Sequence, residues 1–137
     1  KQMINYQQEE NLSADEFKSV LLNSTLGERR PIEEPERLSA MLKNSNLILT
    51  ARDNGKLVGI ARSLTDYAFC TYLSDLAVDE NYQKMGIGKE LVRQTKLAAP
   101  LAKLILLSAP KAVNYYPKIG MTKWEQCFVL DNADDLR

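Results

Sequence analysis

Leu73 to Val92 reads LSDLAVDENYQKMGIGKELV: an alternating strand, a polar turn, the run Gln83-Lys84-Met85-Gly86-Ile87-Gly88, then an amphipathic helix. A strand that turns through glycine into a helix aims bare backbone N–H groups at whatever stands before the join. Gly86 and Gly88 lack the Cβ that would hold a diphosphate off the chain, and both allow positive φ. With the macrodipole behind those donors and Lys84 and Lys89 at the rim, the join is an anion site suited to a phosphorylated cofactor. Solvated helix-terminal lysines are the plainer account of Lys84 and Lys89.

Residue identity removes two of three phosphate motifs. A nucleotide P-loop needs Gly-x-x-x-x-Gly-Lys followed by Ser or Thr, whereas Gly88-Lys89 is followed by Glu90 and Gln83 stands at the leading glycine. The dinucleotide fingerprint needs a third glycine where Leu91 stands. What remains is Gln/Arg-x-x-Gly-x-Gly after a strand, and with it the chain resembles the GNAT superfamily of acyl-CoA-dependent N-acetyltransferases. A second family signature, roughly Asn-aromatic-Tyr-x-Lys-aliphatic-Gly-Phe, is matched downstream by Asn114-Tyr115-Tyr116-Pro117-Lys118-Ile119-Gly120-Met121, with Met121 replacing the final Phe.

The resemblance implies an acetyl-CoA site on the main chain of Leu76, Ala77 and Val78 and on Gln83, Lys84, Met85, Gly86, Ile87, Gly88 and Lys89, with Asn114 on the pantetheine arm. It implies Tyr116 near the cofactor sulfur as general acid, a phenol of ordinary pKa ~10 being protonated at neutral pH. Packing of the short helix is the other account of Tyr116, and helix entry that of Asn114. Asp75 is the nearest carboxylate to serve as base. Strict alternation sets it on the face opposite Tyr72, Ser74 and Leu76, a parity that a bulge would reverse. A structural carboxylate paired with an arginine, and a water relayed by Ser74 or backbone, stand against it. For the acceptor, the loop between the first two helices offers Arg30, and Tyr72 is a cleft residue or a sheet-packing one.

With 137 residues the chain suits a single domain over 1–137. Lys+Arg and Asp+Glu both number 18, so charge suggests neither a nucleic-acid partner nor a membrane surface. The absence of histidine excludes Ser-His and Cys-His nucleophiles and histidine metal sites, and no metal is expected. Cys70 and Cys127 have no Cys-x-x-Cys spacing and read as buried, reduced thiols. No apolar run nears the ~20 residues that span a bilayer, and KQMINYQQEE lacks the apolar core of a signal peptide, so a cytoplasmic protein is expected.

Ser13 to Glu16 forms a capping box for a helix to about Asn23, and Pro35 opens a second that Asn44-Ser45-Asn46 ends. Strands over Leu47–Arg52 and Leu57–Leu64 flank the hairpin signal Asp53-Asn54-Gly55, and Tyr67–Val78 is a third. After the glycine loop come a helix stopped by Pro100, a strand over Lys103–Leu107, a short helix over Lys111–Ile119 and a last strand over Thr122–Leu130 with Trp124 and Phe128 on one face. The order ααβββαβαβ gives an α+β (mixed αβ) fold, and the resemblance makes it α/β/α with a mixed, mostly antiparallel sheet splayed at the cofactor site. The edge of the last strand is a candidate homodimer seam. Function is read as acetyl transfer from acetyl-CoA to a small-molecule or peptide amine in a ternary complex, with an acyl-CoA-binding sensor and a nucleotide-binding protein as rivals.

Overall fold

Ser13 begins the first helix as its sequence demands: its side chain accepts the N–H of Glu16 at 3.1 Å, and Asp15 and Glu16 fill the first turn of α1 (Ala14–Asn23). A ten-residue helix is marginal alone. Burial of Phe17, Val20 and Leu21 supplies what propensity does not, at about 1.5–3 kcal/mol per large side chain. Pro35 opens α2 (Pro35–Lys43), which buries Leu38 and Leu42.

The computed structural model describes residues 3–137. A five-stranded sheet runs in the order β1 (Ile4–Gln8), β2 (Leu47–Asp53), β3 (Lys56–Thr65), β4 (Cys70–Val78), β5 (Lys103–Leu106). The first four pair antiparallel. β5 lies parallel to β4, reached through α3 (Ile87–Ala98), and the mixed, mostly antiparallel sheet follows from that crossover. Asn54 and Gly55, both at positive φ, make the two-residue turn of the β2–β3 hairpin.

Two apolar clusters flank the sheet. Phe17, Leu21 and Leu38 meet Ile48, Ile60 and Ala77 on one face; Ile87 and Leu91 of α3 meet Leu49, Ala61 and Leu73 on the other. α3 comes so close that a Cβ on Gly59 would stand 3.1 Å from side-chain carbons of Ile87 and Leu91. No helix among the described residues is long and apolar enough to cross a membrane.

Four expectations change. β1 was not expected; it offers only Ile4 and Tyr6 as an apolar alternation, and β2 supplies its ladder. The third of the expected strands starts at Cys70 rather than Tyr67, because Asp66 Oδ1 takes the N–H groups of Ala68, Phe69 and Cys70 into a turn with Tyr67 at φ 60°. Thr122–Leu130 is not among the strands of the described residues: alternation alone does not make a strand, which forms only with a ladder set by tertiary context. The dimer seam assigned to its edge loses that basis. Cys70 and Cys127 are free thiols but exposed, Cys70 at the start of β4 and Cys127 within Thr122–Leu130.

The chain divides into two compact units, residues 1–107 and 108–137. The second holds a 3-10 turn at Pro110–Ala112, α4 (Tyr115–Lys118) and a 3-10 turn at Ala133–Asp135.

Candidate active site

The glycine loop is assembled by its neighbours. Asp79 caps the turn Glu80–Tyr82 by accepting the N–H of Asn81 at 2.9 Å, and Gln83 Nε2 donates to the carbonyl of Val78 at 3.0 Å. Lys84 follows at φ 66° and Gly86 at φ 81°, after which α3 begins at Ile87. The first helical bond runs from Glu90 N–H to Gly86 O at 3.0 Å. The N–H groups of Ile87, Gly88 and Lys89 precede it and have no intrahelical acceptor. Ile87 is buried and anchors the loop from below, while Met85 is half exposed. A Cβ on Gly86 would meet no protein atom within 4 Å. The space beside Gly86 is open, and the donors that follow it suit a diphosphate.

β4 and β5 part beside this loop. Their register runs from Cys70↔Lys103 to Leu73↔Leu106 and stops, while β4 continues to Val78. Asp79 N–H bonds Val58 O at 2.8 Å, and Gly59↔Val78 and Ile60↔Ala77 are the next pairs with β3. Antiparallel alternation therefore turns Ala77 toward β3 and directs the main-chain groups of Leu76 and Val78 into the gap that β5 leaves. Both expected donors face the splay.

A bulge precedes them. Arg62 pairs with Asp75 while Ser63 pairs with Leu73, so Ser74 is an extra residue on β4. Leu73 consequently belongs to the α3 cluster and Ala77 to the α1–α2 cluster, although strict alternation would place them together. The same shift brings Asp75 onto the face of Tyr72.

On that face Asp75 is fully buried. Its Oδ1 accepts from Arg30 Nε and its Oδ2 from Arg62 Nε, each at 2.5 Å. Arg62 also donates to Ser74 Oγ (2.9 Å), Ser45 Oγ (2.8 Å) and Met41 O (3.2 Å). The other donors of Arg30 reach Ser74 O and Arg29 O at 2.8 Å. Arg30, the loop residue offered for the acceptor, is bound to Asp75, and Asp75 adopts the arginine-paired alternative. Arg62 escaped the sequence reading; its signal is a lone charge in the otherwise apolar run Leu57–Leu64.

Tyr72 is 38% exposed. It lines an open cavity of about 560 Å³ with Leu64, Ile105, Asn44 and Asn46.

In the second unit, Tyr115 and Tyr116 stand edge to face with ring centres 5.2 Å apart. Gly120, at φ 105°, closes α4: its N–H bonds Pro117 O at 3.1 Å and that of Met121 bonds Tyr116 O at 3.0 Å. Burial, and secondarily the neighbouring Tyr115, push the Tyr116 phenol above its ordinary value. Asn114 precedes α4 without a side-chain capping bond.

Residues 10–121 match the family model described as acetyltransferase (GNAT) family. An uncharacterized N-acetyltransferase, ycf52, of Pyropia yezoensis is 31% identical over 103 residues, covering 69% of this chain and 57% of that protein. The histone acetyltransferase TAP1 of Glycine max is 29% identical over 106 residues, covering 67% and 45%. The chain spans about half the length of the curated relatives it matches. Among solved structures, a GNAT-family acetyltransferase from Streptococcus pneumoniae TIGR4 superposes with a TM-score of 0.76 at 22% identity, covering 95% of this chain and all of that one. An aminoglycoside acetyltransferase from an uncultured soil metagenomic sample, in complex with sisomicin, gives 0.66 at 21% identity, with 93% of each chain covered. With a family model spanning both glycine loop and tyrosine pair, the chain belongs to the acetyltransferase (GNAT) family.

Proposed function

We propose that the chain is an N-acetyltransferase that moves an acetyl group from acetyl-CoA directly to a primary amine. The observation that carries this reading is the stretch of β4 beyond Leu73↔Leu106, unpaired by β5 and running into an open glycine loop. Main-chain N–H groups of Ile87, Gly88 and Lys89 would hold the diphosphate, with Lys84 and Lys89 adding charge. Those of Leu76 and Val78 would hold the pantetheine arm and the developing oxyanion.

Bound acetyl-CoA supplies the thioester: an N–C bond forms, the C–S bond breaks, the amine loses a proton and sulfur gains one. Tyr116 is the proposed donor of that last proton, and its raised pKa keeps the phenol protonated at neutral pH. An alkylammonium of pKa ~10 is only on the order of 0.1% neutral at pH 7, so the acceptor must also be deprotonated. Asp75, buried and with both oxygens engaged, is better suited to positioning than to proton removal. Water at the splay takes that role in this reading.

Titration calorimetry with acetyl-CoA, followed by CoA release with an amine panel, tests the proposal. Binding and amine-dependent release are expected; no binding heat from folded protein would overturn it. The burial of Asp75 favours one second reading, an acyl-CoA-binding module without transfer, which predicts binding with no amine-dependent release.

A further inference from the structure

Leu64, Tyr72 and Ile105 form a row across three strands, since Leu64 pairs with Tyr72 and Tyr72 with Ile105. Each is partly exposed, and together they floor the 560 Å³ cavity, a volume within the ~300–1,000 Å³ usual for ligand sites. The next register pair, Leu73↔Leu106, is the last before the strands part, so the row lies one register step from the splay. One wall is fixed: Asn46 donates to Thr65 O at 2.7 Å and accepts Thr65 N–H at 2.9 Å.

Among the lining residues one is charged, Asp66. Its Oδ1 is held by the N–H groups of Ala68, Phe69 and Cys70 at 2.9, 2.8 and 3.0 Å, which pins the carboxylate and depresses its pKa to about 2. Oδ2 has Cys70 Sγ at 3.8 Å. Asp66 N–H bonds Cys70 O, three positions before Leu73, so the anion lies on the order of 10 Å up the strand from the splay at ~3.3 Å per residue.

A permanent anion is a poor partner for the reacting nitrogen, which must be neutral to attack. At this distance it can serve a different group. We infer that the cavity is the acceptor site and that it selects primary amines carrying a second positive charge across an apolar stem, the second charge facing Asp66 and the stem lying on Leu64, Tyr72 and Ile105. This rests on the proposed transfer and names its substrate class.

The test compares α,ω-diamines from 1,4-diaminobutane to 1,10-diaminodecane with monoalkylamines of equal length, and with a peptide bearing two lysines. The intact protein should show at least a ten-fold higher kcat/KM for the longer diamines than for monoamines. If the charges come from a peptide, the two-lysine arm exceeds the free diamines. In Asp66→Asn the amide oxygen can still accept the turn's N–H groups, and the diamine preference should fall to within about two-fold of none, through KM. Ile105→Lys, which sets a cation in the cavity, should abolish the preference and covers the case in which Asp66→Asn misfolds. Equal use of diamines and monoamines by the intact protein, or a preference surviving in both variants, overturns the inference. Should no amine release CoA, the transfer reading fails separately; diamine binding by calorimetry then decides the cavity, its absence being contrary.

Discussion

Gly86 separates folding from binding. At φ 81° the left-handed backbone costs an L-residue about 1–2 kcal/mol, yet a Cβ there meets no protein atom within 4 Å. Gly86→Ala should therefore lower stability by about that amount in a urea melt while weakening acetyl-CoA more than ten-fold by calorimetry, because the methyl enters the space proposed for the diphosphate. Tyr116 bears on turnover instead. Tyr116→Phe is expected to reduce kcat at least ten-fold with little change in acetyl-CoA affinity. Since its phenol is raised rather than lowered, the intact protein should show no loss of activity from this group below pH 10, and unchanged kcat in the variant across pH 6–9 would remove the proton-donor role.

At the scale of elements, the bulge at Ser74 decides which side chains share a face. Arg30 reaches it from the segment between α1 and α2, and Arg62 from β3, with Asp75 between them. Asp75→Asn keeps the shape but leaves two guanidiniums short of a counter-charge, one of them buried, a change worth about 3–5 kcal/mol. Chemical denaturation should record that loss, and a loss below 1 kcal/mol would show that the clamp does not hold the strand. Local signals announced α1, α2, the β2–β3 turn and the glycine loop, because caps, turn residues and periodicity act within a few positions. They were silent on β1 and the bulge, and misleading for Thr122–Leu130, because a ladder is formed with residues distant in the chain.

Across the first unit, Glu9, Arg52 and Glu16 tie the chain after β1 to β2 and α1. Arg52 donates to Glu9 Oε2 at 2.8 Å and to Glu16 Oε2 at 2.7 Å, and Thr50 Oγ1 also donates to Glu9. Hydrogen bonding from Arg52, against the cost of burial, lowers the Glu9 carboxyl to about 2. A depressed carboxyl contributes stability that is fully present above its unfolded value near 4.5 and is lost as pH falls toward 2. Melting temperature should drop over that window, and Glu9→Gln should lower it at neutral pH while flattening the acid slope. A variant with the intact protein's slope would assign acid unfolding elsewhere.

Residue order alone determined the glycine-rich strand-to-helix join, the absence of histidine chemistry, the caps and turns, and a family resemblance resting on two short motifs. Each depends on backbone conformation or functional groups within one local run. Tertiary structure decided that Arg30 and Arg62 clamp Asp75, that β5 leaves β4 after Leu73, and that Asp66 lines a cavity floored by three strands. Those depend on the register between distant strands, and one extra residue in a ladder exchanges the faces of everything beyond it.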